Sequence, residues 1–439
     1  MTSYWAADAW LPDGCQSAVR IRIEDGRFAE AKPEVARDPG DEVLSGVVLP
    51  GLANVHSHAF HRALRGRTHG GGGTFWSWRE QMYALAMCLD PDSYLDLGRA
   101  VFAEMTLAGY TAVGEFHYLH HDRGGRGYAD PNAMGAALIQ AAAEVGIRLT
   151  LLDVCYLSGG LTASGHLPLD EVQQRFADRD VDAWRARVEL LRPAGGLRLG
   201  VAAHSVRAVP AEALSAVSDA AGEGPLHVHL SEQPAENAVC QSYYGRSPAQ
   251  LLDDHDVLSA RTTAVHATHL TDTDVAILAG SATTAGFCPT TEADLADGIG
   301  PARRLFDAGS PLALGSDQHA VIDPFAELRG LELHERLASG ERGRFTPAQL
   351  ITFGSESGYR SLGWEGGRIE PGAPADFVVV RADSVRTAGA RPEQICYAAT
   401  AADVDQVVIG GRTIVKDGCH HLGSMALLLA AALDRLEER

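Results

Sequence analysis

Histidine and carboxylate side chains recur at short spacings near four places in this 439-residue chain. Imidazole and carboxylate groups are the ligands that zinc, iron and manganese accept in proteins. Alternate residues of a strand project from one face, so a His-x-His pair can close on a single cation. The residues concerned are His56 and His58, His229 with Glu232, His266 with His269, and Asp317. Together they predict a centre for a divalent cation that supports hydrolysis.

A cation of this kind lowers the pKa of a water molecule to roughly 7 and so provides a nucleophile near neutral pH. Asp317 can take the proton of that water. Glu232, three residues beyond His229, can protonate a leaving nitrogen. The sequence therefore offers an acid–base pair as well as ligands.

Eight short apolar runs that end in polar residues alternate with segments of helical period. This alternation is typical of an α/β fold with a parallel sheet, and eight repeats predict a (β/α)₈ TIM-type barrel. Active sites of such barrels lie at the C-terminal ends of the strands, where this chain has its histidines. The runs are residues 47–58, 112–118, 148–156, 198–205, 226–232, 263–270, 282–289 and 311–319.

The two ends of the chain predict a second, smaller domain. Residues 1–46 and 369–421 contain short alternating strands separated by Asp-Gly and Gly-Gly turns, as in hairpins. We expect them to form one small β-sandwich domain beside a metal-dependent barrel of residues 47–368. Residues 422–439 are predicted to form a C-terminal helix that packs on its own subunit or contacts a second one.

Charge and cysteine content narrow the partners and the compartment. The formal net charge is −20, with 57 acidic against 37 basic side chains, which argues against nucleic acid or an anionic membrane as partner. The first residues lack the pattern of a signal peptide, and no apolar run is long enough to span a membrane. Seven scattered cysteines without a CxxC pair fit reduced thiols. We expect a cytoplasmic protein with a small-molecule partner.

The motifs PGLANVHSH, HLSE, VHATHL and LGSDQH resemble those of the amidohydrolase superfamily, and the resemblance extends over essentially the whole chain. It implies a barrel whose metal ligands are His56, His58, His229 and Asp317. By the same resemblance, His266 flanks the attacking water. Glu232 then moves protons to the substrate.

The rarity of lysine favours one metal ion. Superfamily members with two metals bridge them with a modified lysine or with a carboxylate on the fourth strand. The only lysines here are Lys32 and Lys416, and the fourth strand ends in His204. One divalent cation is therefore predicted, with Zn²⁺ expected and Fe²⁺ as the alternative.

The His-x-x-Glu spacing from His229 to Glu232 resembles the deaminase branch, and within it the formimidoylglutamate deiminases. The motifs that carry this resemblance are residues 75–80 (FWSWRE), 114–122 (GEFHYLHHD) and 286–292 (GFCPTTE). It implies an iminohydrolase of histidine degradation. Such an enzyme converts N-formimino-L-glutamate to N-formyl-L-glutamate and ammonia.

A dicarboxylate substrate requires cationic partners, and arginine forks match carboxylates. Arg207 and Arg79 are the candidates, and Tyr118 and His204 are predicted to be polar wall residues. His61 occupies the position at which the family usually has glutamine. This departure leaves the fine substrate preference open.

Several alternatives stay open. A related deaminase could act on another formimino or guanidino acid, or on an aromatic ring amine; the latter would place stacking aromatic residues where this chain offers arginines. Release of formamide from the same substrate is a second alternative, and a non-catalytic scaffold is a third. A homodimer is expected.

Overall fold

The computed structural model describes residues 2–70, 73 and 75–437, with the backbone alone for Phe75 and Trp76. Its strands are β1 (Thr2–Leu11), β2 (Gly14–Glu24), β3 (Arg27–Lys32), β4 (Glu42–Pro50), β5 (Leu52–Ser57), β6 (Tyr110–His117), β7 (Arg148–Cys155), β8 (Gly160–Thr162), β9 (Gly165–Leu167), β10 (Leu197–Ala203), β11 (Leu226–Leu230), β12 (Thr262–His266), β13 (Thr284–Phe287), β14 (Leu312–Leu314), β15 (Phe377–Val380), β16 (Val404–Ile409), β17 (Arg412–Lys416) and β18 (Cys419–His420).

The α-helices are α1 (Phe75–Ala86), α2 (Pro91–Ala108), α3 (Ala133–Val145), α4 (Val181–Val188), α5 (Ala211–Ala221), α6 (Pro234–Tyr244), α7 (Pro248–Asp254), α8 (Asp272–Gly280), α9 (Pro289–Asp294), α10 (Ala302–Ala308), α11 (Pro324–Ser339), α12 (Pro347–Gly354), α13 (Glu356–Ser361) and α14 (Met425–Glu437). Short 3₁₀ helices lie at Ala59–Leu64, Arg123–Gly125, Gln173–Arg175, Pro392–Tyr397 and Ala401–Asp403.

A parallel barrel forms the centre of the molecule. Its strand order is β5-β6-β7-β10-β11-β12-β13-β14, and each neighbouring pair is parallel. A parallel bridge between Ser57 and Asp317 brings the last strand against the first, and the Asp317 N–H donates to the His56 carbonyl at 2.9 Å. The predicted (β/α)₈ barrel is confirmed.

The first predicted barrel strand, residues 47–58, is divided in the structure, which corrects that prediction. β4 continues to Pro50 and pairs with β15 outside the barrel, and the barrel strand β5 begins at Leu52. Gly51 lies at the junction, where a Cβ would approach Thr111 Oγ1 to 2.5 Å. The sequence does not separate the two segments, because every residue from Val47 to Pro50 and every residue of β5 is buried.

Both ends of the chain contribute to one further sheet, as predicted. Its order is β18-β17-β16-β15-β4-β1-β2-β3, in which β4 joins the C-terminal strands to the N-terminal ones. The Phe377 ring lies 5.5 Å from Tyr4 and 6.4 Å from Phe28, in a core separate from that of the barrel. The domain boundaries themselves stay a prediction.

The C-terminal helix α14 packs against α2 of its own chain. Ala432 and Leu436 are buried there, and Arg435 forms an ion pair with Asp96. The opposite side of the helix is open, and Leu427 is 72% exposed. Among the helices of the described residues, none has the length and apolarity needed to cross a bilayer.

Candidate metal centre and substrate cavity

The four predicted ligands come together at the C-terminal end of the barrel. His56 is on β5, His58 follows it, His229 is on β11 and Asp317 follows β14. Nε2 of His56 lies 3.1 Å from Nε2 of His229 and 3.5 Å from Asp317 Oδ1. Nε2 of His58 lies 3.4 Å from the same Oδ1. Strands distant in sequence thus aim their ligand atoms at one point.

This donor set fits a divalent cation. Zinc–nitrogen bonds of about 2.0–2.1 Å in a tetrahedron imply ligand separations of about 3.3 Å. The other ring nitrogens are used for orientation: His58 Nδ1 contacts the Phe116 carbonyl at 3.0 Å, and His229 Nδ1 contacts the His204 carbonyl at 2.9 Å. Such contacts fix the tautomer that leaves Nε2 free to coordinate a metal.

The charge states of the histidines also suit a cation. Burial, together with the neighbouring His56, lowers the pKa of His58 to about 3. Burial likewise lowers the pKa of His56 and of His229 well below the ordinary value. All three imidazoles are therefore neutral at pH 7, which is the form that binds metal.

Backbone strain is concentrated at the ends of these strands. Ser231, His266, Ala267, Asp317 and His319 adopt positive φ angles between 44° and 69° without being glycine. Non-glycine residues rarely occupy this region, and clusters of them are typical of functional sites. The period of a strand does not predict this feature.

Glu232 and His266 flank the predicted ligands. His266 Nε2 lies 3.8 Å from Glu232 Oε1 and 3.8 Å from Asp317 Oδ2. Both side chains, like Asp317, line the cavity described below. The arrangement places two carboxylates and one imidazole within reach of a single reacting group.

His266 differs from the ligands in being charged. Burial alone would lower its pKa, but Glu292, whose Oε1 lies 3.5 Å from Nδ1, acts in the opposite direction. The charges of Glu232 and Asp317 add to this effect, and the pKa of His266 is raised to about 10. A cationic imidazole at this place can stabilise negative charge that develops on an oxygen atom.

A buried carboxylate behind the ligands was not predicted. Glu115 accepts a hydrogen bond from Ser57 Oγ at 2.5 Å and from the Ala59 N–H at 2.7 Å, and these residues flank His58. Ser57 Oγ also contacts His319 Nε2 at 3.1 Å. Burial outweighs the two hydrogen bonds and raises the pKa of Glu115 to about 8. The sequence did not predict a role for Glu115, because every residue of β6 is buried and no alternation marks one acid as functional.

A second group of possible ligands, His117, His120 and Asp153, lies away from the cavity. Arg187 donates two hydrogen bonds to Asp153, at 2.7 and 2.9 Å, and Trp184 donates a third at 3.0 Å. A guanidinium already neutralises this carboxylate, so the group is a structural network rather than a cation site.

A cavity of about 260 Å³ opens beside the predicted metal centre. All five residues predicted to bind substrate line it, together with five predicted for the metal or for catalysis and with aromatic and aliphatic side chains. The predicted residues on its wall are Arg207, Arg79, Tyr118, His204, His61, His58, His229, Glu232, His266 and Asp317. His56 is fully buried and does not line the cavity.

Arg207 has two carboxylate partners of its own. Its Nη2 donates to Glu232 Oε2 at 3.0 Å, and its Nε lies 3.1 Å from Glu236 Oε2. Burial would lower the pKa of Arg207, but Glu236 and Glu232 raise it. The sequence did not predict the ion pair between Arg207 and Glu236. The segment that carries Glu236 has the pattern of an ordinary amphipathic surface helix.

Arg79 and His61 each bond to a tyrosine of the cavity wall. Arg79 Nε donates to Tyr83 Oη at 2.9 Å, and its guanidinium lies 4.9 Å from the centre of that ring. His61 Nε2 contacts Tyr118 Oη at 2.8 Å. Burial, together with the neighbouring His58, lowers the pKa of His61 well below its usual value, so this histidine is neutral.

Aromatic rings also line the cavity, in addition to the expected arginines. Tyr118 and Tyr156 directly follow β6 and β7, and Phe176 lies between them with ring-centre distances of 5.0 and 5.7 Å. Arg79 and Arg207 share the cavity with these rings.

Two other histidines have structural contacts. His269 Nε2 contacts the Asp297 carbonyl at 2.8 Å, and His227 Nε2 contacts the Ser361 carbonyl at 3.1 Å. Asp297 itself was missed. Burial, together with the charge of Glu232, raises the pKa of Asp297 to about 8.

Comparison with known proteins places the chain in a family. Residues 47–414 match the model of the Amidohydrolase family, and residues 1–45 match that of the formimidoylglutamate deiminase HutF N-terminal domain. The chain belongs to the amidohydrolase family. It is a hydrolase that acts on C–N bonds, and its family is metal-dependent.

Relatives and solved structures agree with this assignment. The chain is 37% identical to the formimidoylglutamate deiminase of Pseudomonas aeruginosa over 96% of both chains. It is 27% identical to the 8-oxoguanine deaminase of that organism over 95% of this chain and 94% of the other. A crystal structure of an amidohydrolase from Brucella melitensis superposes with a TM-score of 0.89, 34% identity and full coverage of both chains. Zinc-complexed atrazine chlorohydrolase from Arthrobacter aurescens TC1 shares the fold at 22% identity, with a TM-score of 0.87, 99% coverage of this chain and 100% of that one.

Proposed function

We propose that this enzyme hydrolyses N-formimino-L-glutamate to N-formyl-L-glutamate and ammonia, a step of histidine degradation. One observation carries the proposal: a single cavity joins the His and Asp ligand cluster to two arginines, Arg79 and Arg207. A substrate with a formimino group and two carboxylates needs both features. The similarity to the Pseudomonas enzyme supports the same substrate.

His56, His58, His229 and Asp317 would hold one divalent cation, with Zn²⁺ the proposed ion. When bound, the cation supplies Lewis acidity that makes a water molecule nucleophilic at neutral pH. The neutral state of the three imidazoles and the ligand separations of 3.1 to 3.5 Å support this role.

The residues around this cation would handle the protons. Asp317 accepts a proton from the attacking water as the new C–O bond forms at the formimino carbon. Glu232 donates a proton to the terminal nitrogen, whose bond to that carbon breaks, and ammonia leaves. His266, as a cation, stabilises negative charge on the new oxygen. The second proton of the water leaves the new hydroxyl as the C=O bond forms, and both water protons reach the terminal =NH nitrogen, which departs as NH₃. The formyl group stays on the substrate, so atoms and charge balance.

The substrate would be oriented by the other end of the cavity. Arg207 and Arg79 would bind its carboxylates, and Tyr118, His204 and His61 would contribute polar contacts. Because Arg207 also donates to Glu232, binding of the substrate and orientation of the proton donor are coupled.

Incubation of zinc-loaded protein with N-formimino-L-glutamate tests the function directly. Ammonia and N-formylglutamate should appear in equal amounts, and removal of metal by a chelator should abolish both products. Glutamate with formamide would keep the substrate and overturn the reaction. No product from protein with one metal per chain would overturn the proposed substrate.

The aromatic wall favours a second candidate, deamination of a heterocyclic amine. Tyr118, Tyr156 and Phe176 could stack on a ring, and the 8-oxoguanine deaminase is among the relatives. Ammonia release from 8-oxoguanine faster than from N-formimino-L-glutamate would support this candidate.

Compartment and assembly complete the proposal. Each of the seven cysteines is a free thiol, which supports a cytoplasmic location. A homodimer is supported by apolar side chains on the surface, where Leu337 of α11 is 78% and Leu427 of α14 is 72% exposed. Light scattering of the purified protein measures the subunit number.

A further inference from the structure

Gln173 is a buried polar residue that does not line the cavity, yet it contacts three residues that do. It lies in the 3₁₀ helix Gln173–Arg175 and is 2% exposed. Its Nε2 lies 3.1 Å from Tyr83 Oη, 3.1 Å from Tyr156 Oη and 2.9 Å from the Gly159 carbonyl. A buried amide requires such partners, whereas an aliphatic side chain in the same space would need none.

The orientation of this amide is determined by its other end. Gln173 Oε1 accepts a hydrogen bond from the Asp170 N–H at 2.9 Å, and the Gln173 N–H donates to Asp170 Oδ1 at 2.8 Å. The oxygen therefore faces the backbone donor, and the NH₂ group faces the cavity wall. The glutamine cannot flip without losing a buried hydrogen bond.

One side of this network leads to Arg79. Tyr83 Oη accepts from Arg79 Nε at 2.9 Å while it also contacts Gln173 at 3.1 Å. The position of the Tyr83 hydroxyl thus depends on Gln173, and the position of the Arg79 guanidinium depends on that hydroxyl.

The other side leads to Arg207 through the chain segment that starts the β8–β9 hairpin. Gly159, whose carbonyl faces Gln173, follows Ser158, whose Oγ donates to the Arg207 carbonyl at 3.1 Å. The Ser158 N–H donates to the Ala208 carbonyl at 3.0 Å. Gly159 is closely packed here, since a Cβ would lie 2.1 Å from the Pro168 carbonyl oxygen.

We propose that Gln173 is a positioning residue that fixes the separation between Arg79 and Arg207 and thereby selects N-formimino dicarboxylates of one chain length. This inference rests on the proposed function, in which the two arginines bind the two carboxylates. Gln173 does not line the cavity. It acts through Tyr83 on one side and through Ser158 and Gly159 on the other.

The test compares N-formimino-L-glutamate with N-formimino-L-2-aminoadipate, which is longer by one methylene. A site of fixed size discriminates one methylene by about 10–200-fold in kcat/KM. In Gln173→Leu this ratio should fall by about tenfold through a higher KM for the glutamate derivative, with kcat retained within about threefold. Gln140→Leu, at an exposed glutamine of α3, is the matched control and should keep the wild-type ratio.

A double-mutant cycle separates positioning from general loosening. Tyr83→Phe removes the hydroxyl that relays Gln173 to Arg79, so its effect and that of Gln173→Leu should be non-additive. If Gln173→Leu does not fold, Tyr83→Phe carries the test and should itself lower the ratio. An unchanged ratio, or a KM raised equally for both substrates, would overturn the positioning role.

Arg79→Ala distinguishes this inference from the proposed function. A higher KM in Arg79→Ala with an unchanged ratio in Gln173→Leu would overturn only the role of Gln173. An unchanged KM in Arg79→Ala, or no turnover by the wild-type enzyme, would overturn the substrate-binding proposal and this inference with it.

Discussion

The two ends of the cavity are built by different parts of the fold. At the metal end, each functional side chain lies on or just after a barrel strand, as His56, His229 and Asp317 do. At the carboxylate end, Arg79 is on helix α1, Arg207 is in a loop, and a hairpin segment and a 3₁₀ helix connect them. The barrel dictates the first geometry, whereas contacts between loops determine the second.

This difference predicts different consequences of mutation. Changes at the metal end should affect kcat or metal affinity, because those residues serve the reacting atoms. Changes at the carboxylate end should affect KM and selectivity. The two ends meet at the ion pair between Arg207 and Glu232, whose atoms lie 3.0 Å apart. Arg207 belongs to the carboxylate end and Glu232 to the metal end.

Glu232→Gln should have the largest effect. We expect kcat to fall by about 10²–10⁴-fold, because a positioned proton donor contributes that much and an amide cannot replace it. Metal content, measured by mass spectrometry, should be unchanged. Glu236→Gln is the matched control, since Glu236 also faces Arg207 but does not line the cavity. A kcat near that of the wild type in Glu232→Gln would remove its role as proton shuttle.

Arg207→Ala tests whether the ion pair with Glu232 couples substrate binding at the carboxylate end to catalysis at the metal end. Loss of charged hydrogen bonds worth about 1.5–3 kcal/mol should raise KM for N-formimino-L-glutamate by roughly 10–100-fold. Here kcat should fall too, because Glu232 loses its partner. In Arg79→Ala, by contrast, only KM should rise. Steady-state kinetics that show equal KM-only effects for both variants would contradict the coupling at Arg207.

The sequence predicted the metal end of the cavity better than the contacts that support the carboxylate end. His56 and His58 are two residues apart on one strand, so their common direction follows from strand geometry alone. Gln173 and Tyr83 are 90 residues apart, and their contact depends on how two irregular segments pack. No period in the sequence encodes such a contact, which is why the arginines were predicted and the residues that hold them were not.

Burial explains the remaining omissions. Glu115 and Gly51 lie in segments whose side chains are all buried, where alternation between the two faces disappears. In such a run the sequence indicates that a strand is present. It does not indicate where the strand ends or which polar residue has a functional role. The split between β4 and β5 and the contact of Glu115 with Ser57 were missed for the same reason.

Glu115→Gln examines the support of the metal end. Its carboxylate accepts from the two residues that flank His58, and loss of such a partner typically costs about 10–100-fold in metal affinity or activity. We expect zinc affinity, measured by competition with a chromogenic chelator, to fall by that factor. Glu144→Gln, whose glutamate pairs with Arg99 away from the cavity, is the control. Unchanged zinc affinity would show that the barrel alone fixes the ligands.

His61→Gln should have the smallest effect, although His61 lies between the two ends. Its Nε2 contacts the Tyr118 hydroxyl at 2.8 Å, and a glutamine amide can offer the same kind of hydrogen bond. Since one hydrogen bond of about 0.5–1.5 kcal/mol is involved, kcat/KM for N-formimino-L-glutamate should be preserved or improved, and any loss should stay below about tenfold.

Tyr118→Phe provides the comparison for that variant, because it removes the shared partner and keeps His61. If His61 acts only through the hydroxyl, adding Tyr118→Phe to His61→Gln should cost no more than Tyr118→Phe alone. A loss well above tenfold in His61→Gln would show instead that the imidazole itself serves the reaction. The division between the two ends would then run on the other side of His61, which would belong with its neighbour His58 at the metal end.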